Sequence, residues 1–245
     1  MTPKTPAEAR LYGILDLGYV PPADVETMTV ALCEGGVDLL QLRAKKATKS
    51  EVEQLARRMQ AVMRDFDVPL IINDHADIAA QIACEGIHVG QDDDAVAKAR
   101  EVTGGACFVG KSTHSLAQAV AAQAEGADYI GFGPLYATGT KPDYIPIGLA
   151  DIAEAHRRVS LPIFCIGGVN ATRLDEVLAA SARRVVVVSA FLQAADVRAE
   201  VRARDHEPLE ITEHFKSGIE EIAAILPSSA ARRLLAWGER TGRLG

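Results

Sequence analysis

A loop rich in hydrogen-bond donors follows an apolar segment near the middle of the chain. The stretch Tyr129–Lys141 begins as a buried strand and continues into a loop that contains Thr138, Gly139, Thr140 and Lys141. Hydroxyl and backbone N–H groups can donate to phosphate oxygens, and an ammonium adds a mobile positive charge. Taken alone, the loop is more typical of a solvated connection, so the interpretation as a phosphate site depends on similar features elsewhere in the chain.

A second candidate for phosphate binding ends another apolar segment, at Gln41-Leu-Arg-Ala-Lys45. Arg43 carries a planar guanidinium suited to two parallel hydrogen bonds with a phosphate, and Lys45 lies two residues further on. Alternate residues of a strand share a face, so both cations can point to one site. Two solvated loop cations would give the same pattern, and the sequence of this segment does not choose between the two interpretations.

Acidic residues follow two neighbouring predicted strands. Asn73 and Asp74 close the first, and the run Asp92–Asp94 follows the second. Strands in a sheet lie about 4.8 Å apart, so one carboxylate from each loop can flank a hard cation such as Mg²⁺. Acids at a helix N-terminus are the alternative for part of the run, and we expect Asp77 to lie in the first turn of a helix for the same reason.

Two glycine-containing segments suggest a second phosphate site. Ile166–Val169 and Val187–Ser189 end the last two predicted strands, and glycine allows backbone N–H groups to approach a ligand closely. In (β/α)8 barrels the loops after strands seven and eight frequently bind phosphate. The chain therefore combines a basic site, with a cation beside it, and a site built from backbone groups, as two phosphorylated substrates would require.

Three further side chains lie near the ends of predicted strands. Ser112 is small and well placed for a hydrogen bond to a ligand, and His114 follows it towards the expected mouth of the barrel. His88 lies inside a strand, where a histidine is more often a hydrogen-bonded core residue than a ligand contact. The sequence does not decide whether either histidine contacts a ligand.

Apolar strand-like segments alternate with amphipathic stretches, which predicts a parallel sheet with crossover helices. Eight such units favour a TIM (β/α)8 barrel over an open doubly wound sheet, and no Gly-x-Gly-x-x-Gly follows the first strand. Glycines at Gly35-Gly36, Gly86 and Gly126 are expected to end helices. The predicted strands are Leu11–Asp16, Val37–Arg43, Pro69–Asp74, Gly86–Gln91, Cys107–Ser112, Tyr129–Leu135, Pro162–Gly168 and Val185–Ala190. The predicted helices include Lys49–Arg64, Asp93–Val102, Leu116–Glu125 and Ile152–Val159.

The composition is that of a soluble globular protein. The net charge of −7 over 245 residues argues against nucleic acid or an anionic membrane as partner, and no signal peptide or membrane span is evident. We expect a cytoplasmic protein, for which a homo-oligomer is compatible with the sequence. The expected divisions are an N-terminal segment (1–10), a catalytic barrel (11–195) and an extension of unknown role (196–245). Four isolated cysteines are predicted to be reduced core residues: Cys33, Cys84, Cys107 and Cys165.

Together these segments resemble the thiamine phosphate synthase family over roughly Leu11 to Ala195. The resemblance is carried, in the family's order and spacing, by Gln41-Leu-Arg-x-Lys45, Ile72-Asn-Asp74, His88-x-Gly-Gln-x-Asp93, Gly110-x-Ser112, Gly133-Pro134, Thr138-x-Thr-Lys141, Ile166-Gly-Gly168 and Val188-Ser189. It implies a TIM barrel that joins a pyrimidine pyrophosphate to a thiazole phosphate with the help of Mg²⁺.

The resemblance also implies roles for individual residues. Asp74 and Asp93 would hold the magnesium, and Arg43, Lys45, Lys141 and Ser112 would take part in catalysis. The pyrimidine pyrophosphate would be bound by Gln41, Arg43, Lys45, Asn73, Ser112 and Lys141, with Leu42 and Ala44 in the same segment. The thiazole phosphate would be bound by Thr138, Gly139, Thr140, Gly168, Val188 and Ser189.

Three other functions are compatible with a phosphate-binding barrel. A thiazole tautomerase would use His114 as an acid or base, but it has no need of the acidic pair or of Lys141. A catalytically silent sensor of thiazole phosphate has no need of magnesium. A Schiff-base aldolase would use Lys111. The chain also departs from the resemblance at Ser181-Ala-Arg-Arg184, where a Gly-Ala-x-Gly sequence is usual.

Overall fold

The computed structural model describes residues 4–91, 95–139 and 144–206. Its eight parallel strands pair in chain order, and β8 pairs with β1 to close the barrel. The predicted TIM-barrel fold is therefore confirmed. The strands are β1 (Leu11–Asp16), β2 (Leu39–Arg43), β3 (Leu70–Asn73), β4 (Gly86–Val89), β5 (Phe108–Thr113), β6 (Tyr129–Phe132), β7 (Ile163–Cys165) and β8 (Val185–Val187).

Helices lie between the strands and cover the outside of the barrel. A 3-10 turn (Pro22–Asp24) precedes the first of them, and Thr48 and Glu51 cap the second reciprocally. The helices are α1 (Val25–Gly35), α2 (Lys49–Met63), α3 (Ala76–Ile82), α4 (Ala95–Thr103), α5 (Leu116–Ala124), α6 (Ile152–Arg158), α7 (Ala171–Ala179), α8 (Ser189–Leu192) and α9 (Val197–His206). None of the helices in the described ranges is long and apolar enough to cross a membrane.

The strands are buried on both faces, as parallel strands covered by helices must be. Every residue of β1 is buried, and its alternate side chains enter two clusters. Leu11 and Leu15 pack outward against the helices, whereas Tyr12 and Ile14 point into the barrel interior. This alternation decides which residues can reach a ligand inside the barrel.

Most strands are shorter than the sequence predicted, because apolar residues and glycines continue the strand-like pattern after the chain has left the sheet. β6 ends at Phe132 instead of Leu135, and β7 ends at Cys165 instead of Gly168. The prediction that Gly86 ends a helix is wrong. Ala83 holds the left-handed position there, and Gly86 begins β4 with the Phe108 ring filling the space a side chain would need. Gly36 and Gly126 do adopt the left-handed conformation expected of them.

Part of the predicted extension belongs to the barrel unit. Val201 of α9 is fully buried and contacts Gly35 of α1, and Arg198 pairs with Glu34. Contacts between Cα atoms divide the chain into the units Met1–Asp205 and His206–Gly245. The rest of the predicted extension, residues 207–245, lies outside the described residues, as do Asp93, Thr140 and Lys141.

The four cysteines are buried and free, as predicted. Burial in apolar surroundings raises the pKa of both Cys33 and Cys165 to about 12, so these thiols stay protonated at neutral pH. They pack as small apolar side chains.

Candidate active site

A cavity of roughly 900 Å³, open mouth included, lies at the carboxyl ends of the strands. Side chains of the barrel strands and residues of the loops that follow them line this cavity. Eight of the residues predicted to bind substrate line it: Gln41, Arg43, Asn73, Ser112, Thr138, Gly168, Val188 and Ser189. Residues far apart in the chain therefore meet at a single site, as the carboxyl ends of barrel strands do in (β/α)8 enzymes.

Arg43 enters the cavity in an ion pair with Asp16, the last residue of β1. The two residues are partners across adjacent strands, and Asp16 is only 3% exposed. Asp16 also accepts a hydrogen bond of 2.8 Å from the backbone N–H of Gly18. The carboxylate thus holds the guanidinium in one orientation. It also gives the largely buried charge of Arg43 a partner of opposite sign.

Lys45 and Asp74 form a second ion pair beside the cavity, and both side chains remain accessible to solvent. The amide of Asn73 donates to the same carboxylate oxygen, Oδ2, at 2.7 Å. Asp74 adopts a left-handed backbone conformation with φ of 66°, held by a hydrogen bond from its N–H to the carbonyl of His88. We call Arg43, Lys45, Asn73 and Asp74 the cationic half of the site.

The donors of the cationic half fit a magnesium ion. Within the described ranges, both hydrogen-bond partners of the Asp74 carboxylate contact Oδ2, which leaves Oδ1 for a cation. A single protein carboxylate with water and phosphate oxygens is a usual magnesium environment. Among residues 4–91, 95–139 and 144–206 no group of three or more acidic, histidine or cysteine side chains could hold a metal.

Below the cationic half, five side chains form a continuous series of hydrogen bonds across the barrel interior. Gln41 Nε2 donates to the Tyr12 hydroxyl at 2.5 Å, and the Tyr12 and Tyr129 hydroxyls lie 3.2 Å apart. Tyr129 bonds to His88 Nδ1 at 3.1 Å, and His88 Nε2 bonds to Ser112 Oγ at 3.0 Å. We call this series the interior hydrogen-bond chain. It fixes both Gln41 and Ser112, which line the cavity.

Burial of the two phenols determines how this chain can work. Desolvation raises the pKa of both Tyr12 and Tyr129 well above the ordinary value, so both stay protonated at any physiological pH. If Gln41 donates to Tyr12, each later hydroxyl can donate in turn, and His88 then donates to Ser112. In that order the Ser112 hydroxyl hydrogen remains available for a ligand.

His114 also lines the cavity and bonds through Nδ1 to the carbonyl oxygen of Gly133. A carbonyl oxygen only accepts, so Nδ1 carries the hydrogen and Nε2 is the basic nitrogen of the neutral ring. The His114 ring lies 4.6 Å from the ring of Tyr144, measured between centroids. Both histidines that the sequence left undecided are thus part of the cavity wall.

The opposite side of the cavity is built from backbone. Gly167 and Gly168 follow β7 with φ of 100° and 72°, and a side chain on Gly168 would meet Arg173 and Tyr136 at 2.9 Å. Across the described residues, the N–H groups of residues 167–170 donate to no other backbone group. With Val188 and Ser189 after β8, these residues form what we call the glycine half of the site.

Some residues predicted to contact substrate do not line the cavity. Leu42 and Ala44 are buried in the layer between strands and helices, because they alternate with Gln41 and Arg43 along β2. Gly139 is exposed beyond the lining residues. The side chains of Leu42 and Ala44 therefore belong to the core, and a contact of these two residues with substrate stays a prediction.

Lys111 does not face the cavity either. It is 6% exposed and pairs with Glu125, the residue that follows α5, whereas its neighbours Gly110 and Ser112 face inward. A Schiff-base aldolase needs its lysine beside the substrate carbonyl. The placement of Lys111 removes the basis for that alternative.

Several residues of the site were missed in the sequence. Asp16 ends β1, and its position at the carboxyl end of a predicted strand is a signal that could have identified it. Tyr12 and Tyr129 lie within apolar segments, where their sequence context is that of core residues. Their hydroxyl groups meet only because the barrel closes.

The fold and the cavity define a class of protein, a TIM barrel whose cavity combines cationic and backbone groups suited to phosphorylated ligands. Comparison with solved structures gives the same fold. A chain described as 3-hexulose-6-phosphate synthase aligns with a TM-score of 0.58 at 19% identity, over 79% of this chain and 96% of that one. At this identity the likeness shows the fold alone.

More similar proteins specify the family. The sequence profile described as thiamine monophosphate synthase matches residues 11–191. Thiamine-phosphate synthase of Halalkalibacterium halodurans is 40% identical over 77% of this chain and 90% of its own length, and that of Chloroflexus aurantiacus is 40% identical over 79% and 89%. The structure of thiamine phosphate pyrophosphorylase from Pyrococcus furiosus aligns with a TM-score of 0.72 at 31% identity, over 79% of this chain and 92% of that one. The chain belongs to the thiamine monophosphate synthase family and is an enzyme of thiamine biosynthesis.

Proposed function

We propose that this enzyme joins 4-amino-2-methyl-5-hydroxymethylpyrimidine pyrophosphate to 4-methyl-5-(2-hydroxyethyl)thiazole phosphate, forming thiamine monophosphate and pyrophosphate. The observation that best supports the proposal is the division of one cavity into a cationic half and a glycine half. A pyrophosphate carries more charge than a monophosphate ester and needs more cationic groups. The two substrates would therefore occupy different halves and meet between them.

In the cationic half, Arg43 and Lys45 would bind the pyrophosphate oxygens, with Asn73 as a neutral donor. Both cations are already paired with carboxylates, so ligand binding extends existing ion pairs. Asp74 would hold magnesium through Oδ1, together with Asp93. When bound, the ion would contribute charge neutralisation on the pyrophosphate oxygens. Lys141 would add a further cation.

The reaction needs no proton transfer. The bond between the pyrimidine methylene carbon and the pyrophosphate oxygen breaks, and its electron pair leaves with the pyrophosphate. The thiazole nitrogen then uses its free lone pair to form the new carbon–nitrogen bond. Arg43 and Lys45 stabilise the negative charge that develops on the leaving group, a contribution of several kcal/mol.

The enzyme's second task is to keep water from the carbocation-like methylene group. The apolar part of the cavity wall includes Phe164, Ile166 and Val186. Gln41 and Ser112, held by the interior hydrogen-bond chain, would orient the pyrimidine ring. Because fixed groups align the two substrates when they bind, less entropy is lost in reaching the transition state, and the activation barrier is lower.

The decisive experiment measures pyrophosphate release and thiamine monophosphate formation with both substrates, with each substrate alone, and after removal of divalent metal. We expect product only when both substrates and magnesium are present. Product formation that is insensitive to chelation would contradict the metal assignment. Binding of thiazole phosphate without any product would contradict the synthase proposal.

One observation favours a second candidate, a thiazole tautomerase. His114 lines the cavity, and its hydrogen on Nδ1 leaves Nε2, which is buried in this structure, as the nitrogen that would accept a proton in acid–base catalysis. The synthase reaction has no use for a base at this position. Conversion of a thiazole tautomer without pyrimidine pyrophosphate, lost in His114→Gln, would establish the tautomerase instead.

A further inference from the structure

The helix that follows the glycine half carries an arginine that the sequence pattern did not identify. Arg173 lies in the first turn of α7, and its Nη1 donates to the carbonyl oxygen of Gly168 at 3.0 Å. Asn170 caps the same helix, accepting from the backbone N–H of Arg173 at 3.2 Å. The arginine is thus tied to the glycine turn through both its backbone and its side chain.

The guanidinium also joins this turn to the loop after β6. It lies over the ring of Tyr136, 4.4 Å from the ring centroid, and the Tyr136 hydroxyl donates to Glu176 at 2.9 Å. The backbone N–H of Tyr136 donates to the carbonyl of Gly167 at 3.0 Å. Tyr136 lies two residues before Thr138, which lines the cavity. Arg173 therefore braces two loops that the proposed thiazole phosphate would contact.

The hydrogen bond from Arg173 to the Gly168 carbonyl also orients the N–H of Val169. In a trans peptide the C=O and the following N–H point in opposite directions. Arg173 does not line the cavity, whereas Gly168 and Val169 do. Holding the Gly168 carbonyl towards Arg173 therefore turns the Val169 N–H away from the arginine, and no backbone acceptor within the described ranges takes that N–H. Oriented N–H groups of this kind form anion-binding sites.

The positive charge of Arg173 also favours the binding of an anion at the glycine turn. Throughout residues 4–91, 95–139 and 144–206, no carboxylate forms an ion pair with its guanidinium. By contrast, Arg43 and Lys45 in the cationic half are each paired with an aspartate. One positive charge thus stands directly behind the glycine turn, where it raises the electrostatic potential felt by a dianionic phosphate.

We propose that Arg173 is a positioning residue for the phosphate of the thiazole substrate, acting through the Gly168 carbonyl and the Tyr136 ring without contacting the substrate. The inference rests on the proposed function, because it assigns the thiazole phosphate to the glycine half. It gives that half a cationic group, whereas the sequence indicated a site made of neutral groups only.

The test compares steady-state kinetics of Arg173→Met and Arg173→Lys with those of the unaltered enzyme. Methionine keeps an unbranched side chain over Tyr136 but removes the charge and the hydrogen bond. We expect the KM for thiazole phosphate to rise roughly tenfold in the methionine variant, the equivalent of one charge-assisted hydrogen bond, with kcat and the other KM nearly unchanged. Lysine keeps the charge without the planar fork, so we expect a smaller rise in the same KM.

Arg157→Ala is the matched control. Arg157 lies on α6, is 70% exposed and pairs with Glu154 on its own helix. Its removal changes net charge by the same amount as Arg173→Met, and we expect no change in either KM. Equal effects of the two substitutions would show that net charge, and not the position of Arg173, is responsible.

Two results would overturn the inference while leaving the synthase proposal intact. One is product formation with an unchanged KM for thiazole phosphate in both Arg173 variants. The other is a parallel rise of both KM values, which would indicate a general structural role. If Arg173→Met does not fold, the lysine variant decides the question by the same comparison of the two KM values.

Failure of the synthase proposal can also be distinguished from failure of the Arg173 inference. An unaltered enzyme that forms no product but binds thiazole phosphate in calorimetry contradicts the synthase proposal, and the Kd values of the Arg173 variants then test the inference directly. A weaker Kd in Arg173→Met, partly restored in Arg173→Lys, supports it. Absence of thiazole phosphate binding to the unaltered enzyme overturns both proposals.

Discussion

In the proposed function, the two halves of the cavity would bind phosphate groups by different means. The cationic half uses long side chains held in ion pairs, such as Arg43 with Asp16, whereas the glycine half uses backbone N–H groups after Gly167 and Gly168. Side-chain charges suit a leaving group whose charge grows during the reaction. Backbone groups suit a phosphate that only anchors its substrate. The comparison suggests that kcat depends mainly on the first half and the KM for thiazole phosphate on the second.

The largest effect is expected from the cationic half. Arg43→Ala removes the guanidinium that we propose binds the pyrophosphate, and it leaves the buried Asp16 without its partner. We expect kcat/KM for the pyrimidine pyrophosphate to fall about 10³-fold. The free energy of unfolding should also fall by roughly 3 kcal/mol, as measured in denaturant.

The double variant Asp16→Asn/Arg43→Ala separates these two effects. It removes the unpaired charge, so we expect most of the lost stability to return while activity remains low. Calorimetry should show that thiazole phosphate binds both variants normally. Recovery of activity with stability would mean that Arg43 acts only in folding, contrary to the division of the site.

The next largest effect should come from the glycine half. Gly168 has φ of 72°, and an added Cβ would lie 2.9 Å from both Arg173 and Tyr136. We expect Gly168→Ala to raise the KM for thiazole phosphate about 30-fold, since both the turn and its N–H groups must shift. The KM for pyrimidine pyrophosphate should stay within about twofold.

Gly126→Ala provides the matched control, because Gly126 also has positive φ, 84°, but has open space around its Cα. Left-handed backbone costs an alanine about 1 kcal/mol of stability at either position. Only Gly168→Ala should change kinetics. An equal loss of activity in both variants would show that stability, and not site geometry, controls the measured rates.

The interior hydrogen-bond chain supports the cationic half from below, and Tyr129→Phe interrupts it. The substitution leaves the Tyr12 hydroxyl and His88 Nδ1 without their shared partner. We expect a stability loss of about 2 kcal/mol and a roughly tenfold lower kcat. Because the effect should reach Gln41 and Ser112 only, an altered affinity for thiazole phosphate would argue against the separation of the halves.

The smallest effect should arise outside both halves, at His156 of α6. Burial and the nearby Arg183 and Arg184 lower its pKa to about 4, and Nε2 has no hydrogen-bond partner among the described residues. In the unfolded chain the His156 imidazole binds a proton below about pH 6.5, whereas in the folded chain it stays neutral down to about pH 4. Stability is therefore complete above pH 6.5 and is lost as pH falls towards 4.

We expect His156→Gln to reduce the acid-induced loss of folding stability by about 1 to 2 kcal/mol. This figure is smaller than the full pKa shift would give, because the side chain is partly exposed to solvent. Denaturant unfolding at pH 7 and pH 4.5 measures it. Activity at pH 7 should not change. An identical pH dependence in the variant would show that other groups control acid sensitivity.

The pattern of apolar and polar residues predicts the alternation of eight strands with helices, and hence the barrel. It also marked most residues of the cavity, because polar residues and glycines at the carboxyl ends of buried strands have few structural reasons to be there. The ends of the strands were less predictable. Apolar residues such as Leu135 continue the pattern after the chain has left the sheet, since they pack in the core from a loop.

The contacts between these groups could not be predicted from the sequence, because they form between segments that are distant along the chain. The hydroxyls of Tyr12 and Tyr129 are 117 positions apart in the chain, and their hydrogen bond exists because the barrel closes. The inward or outward direction of each strand residue separated Gln41 from Leu42 and turned Lys111 towards Glu125. The brace by Arg173 likewise depends on two loops that meet in space. Local sequence sets the periodicity of each strand, but register and closure set its neighbours.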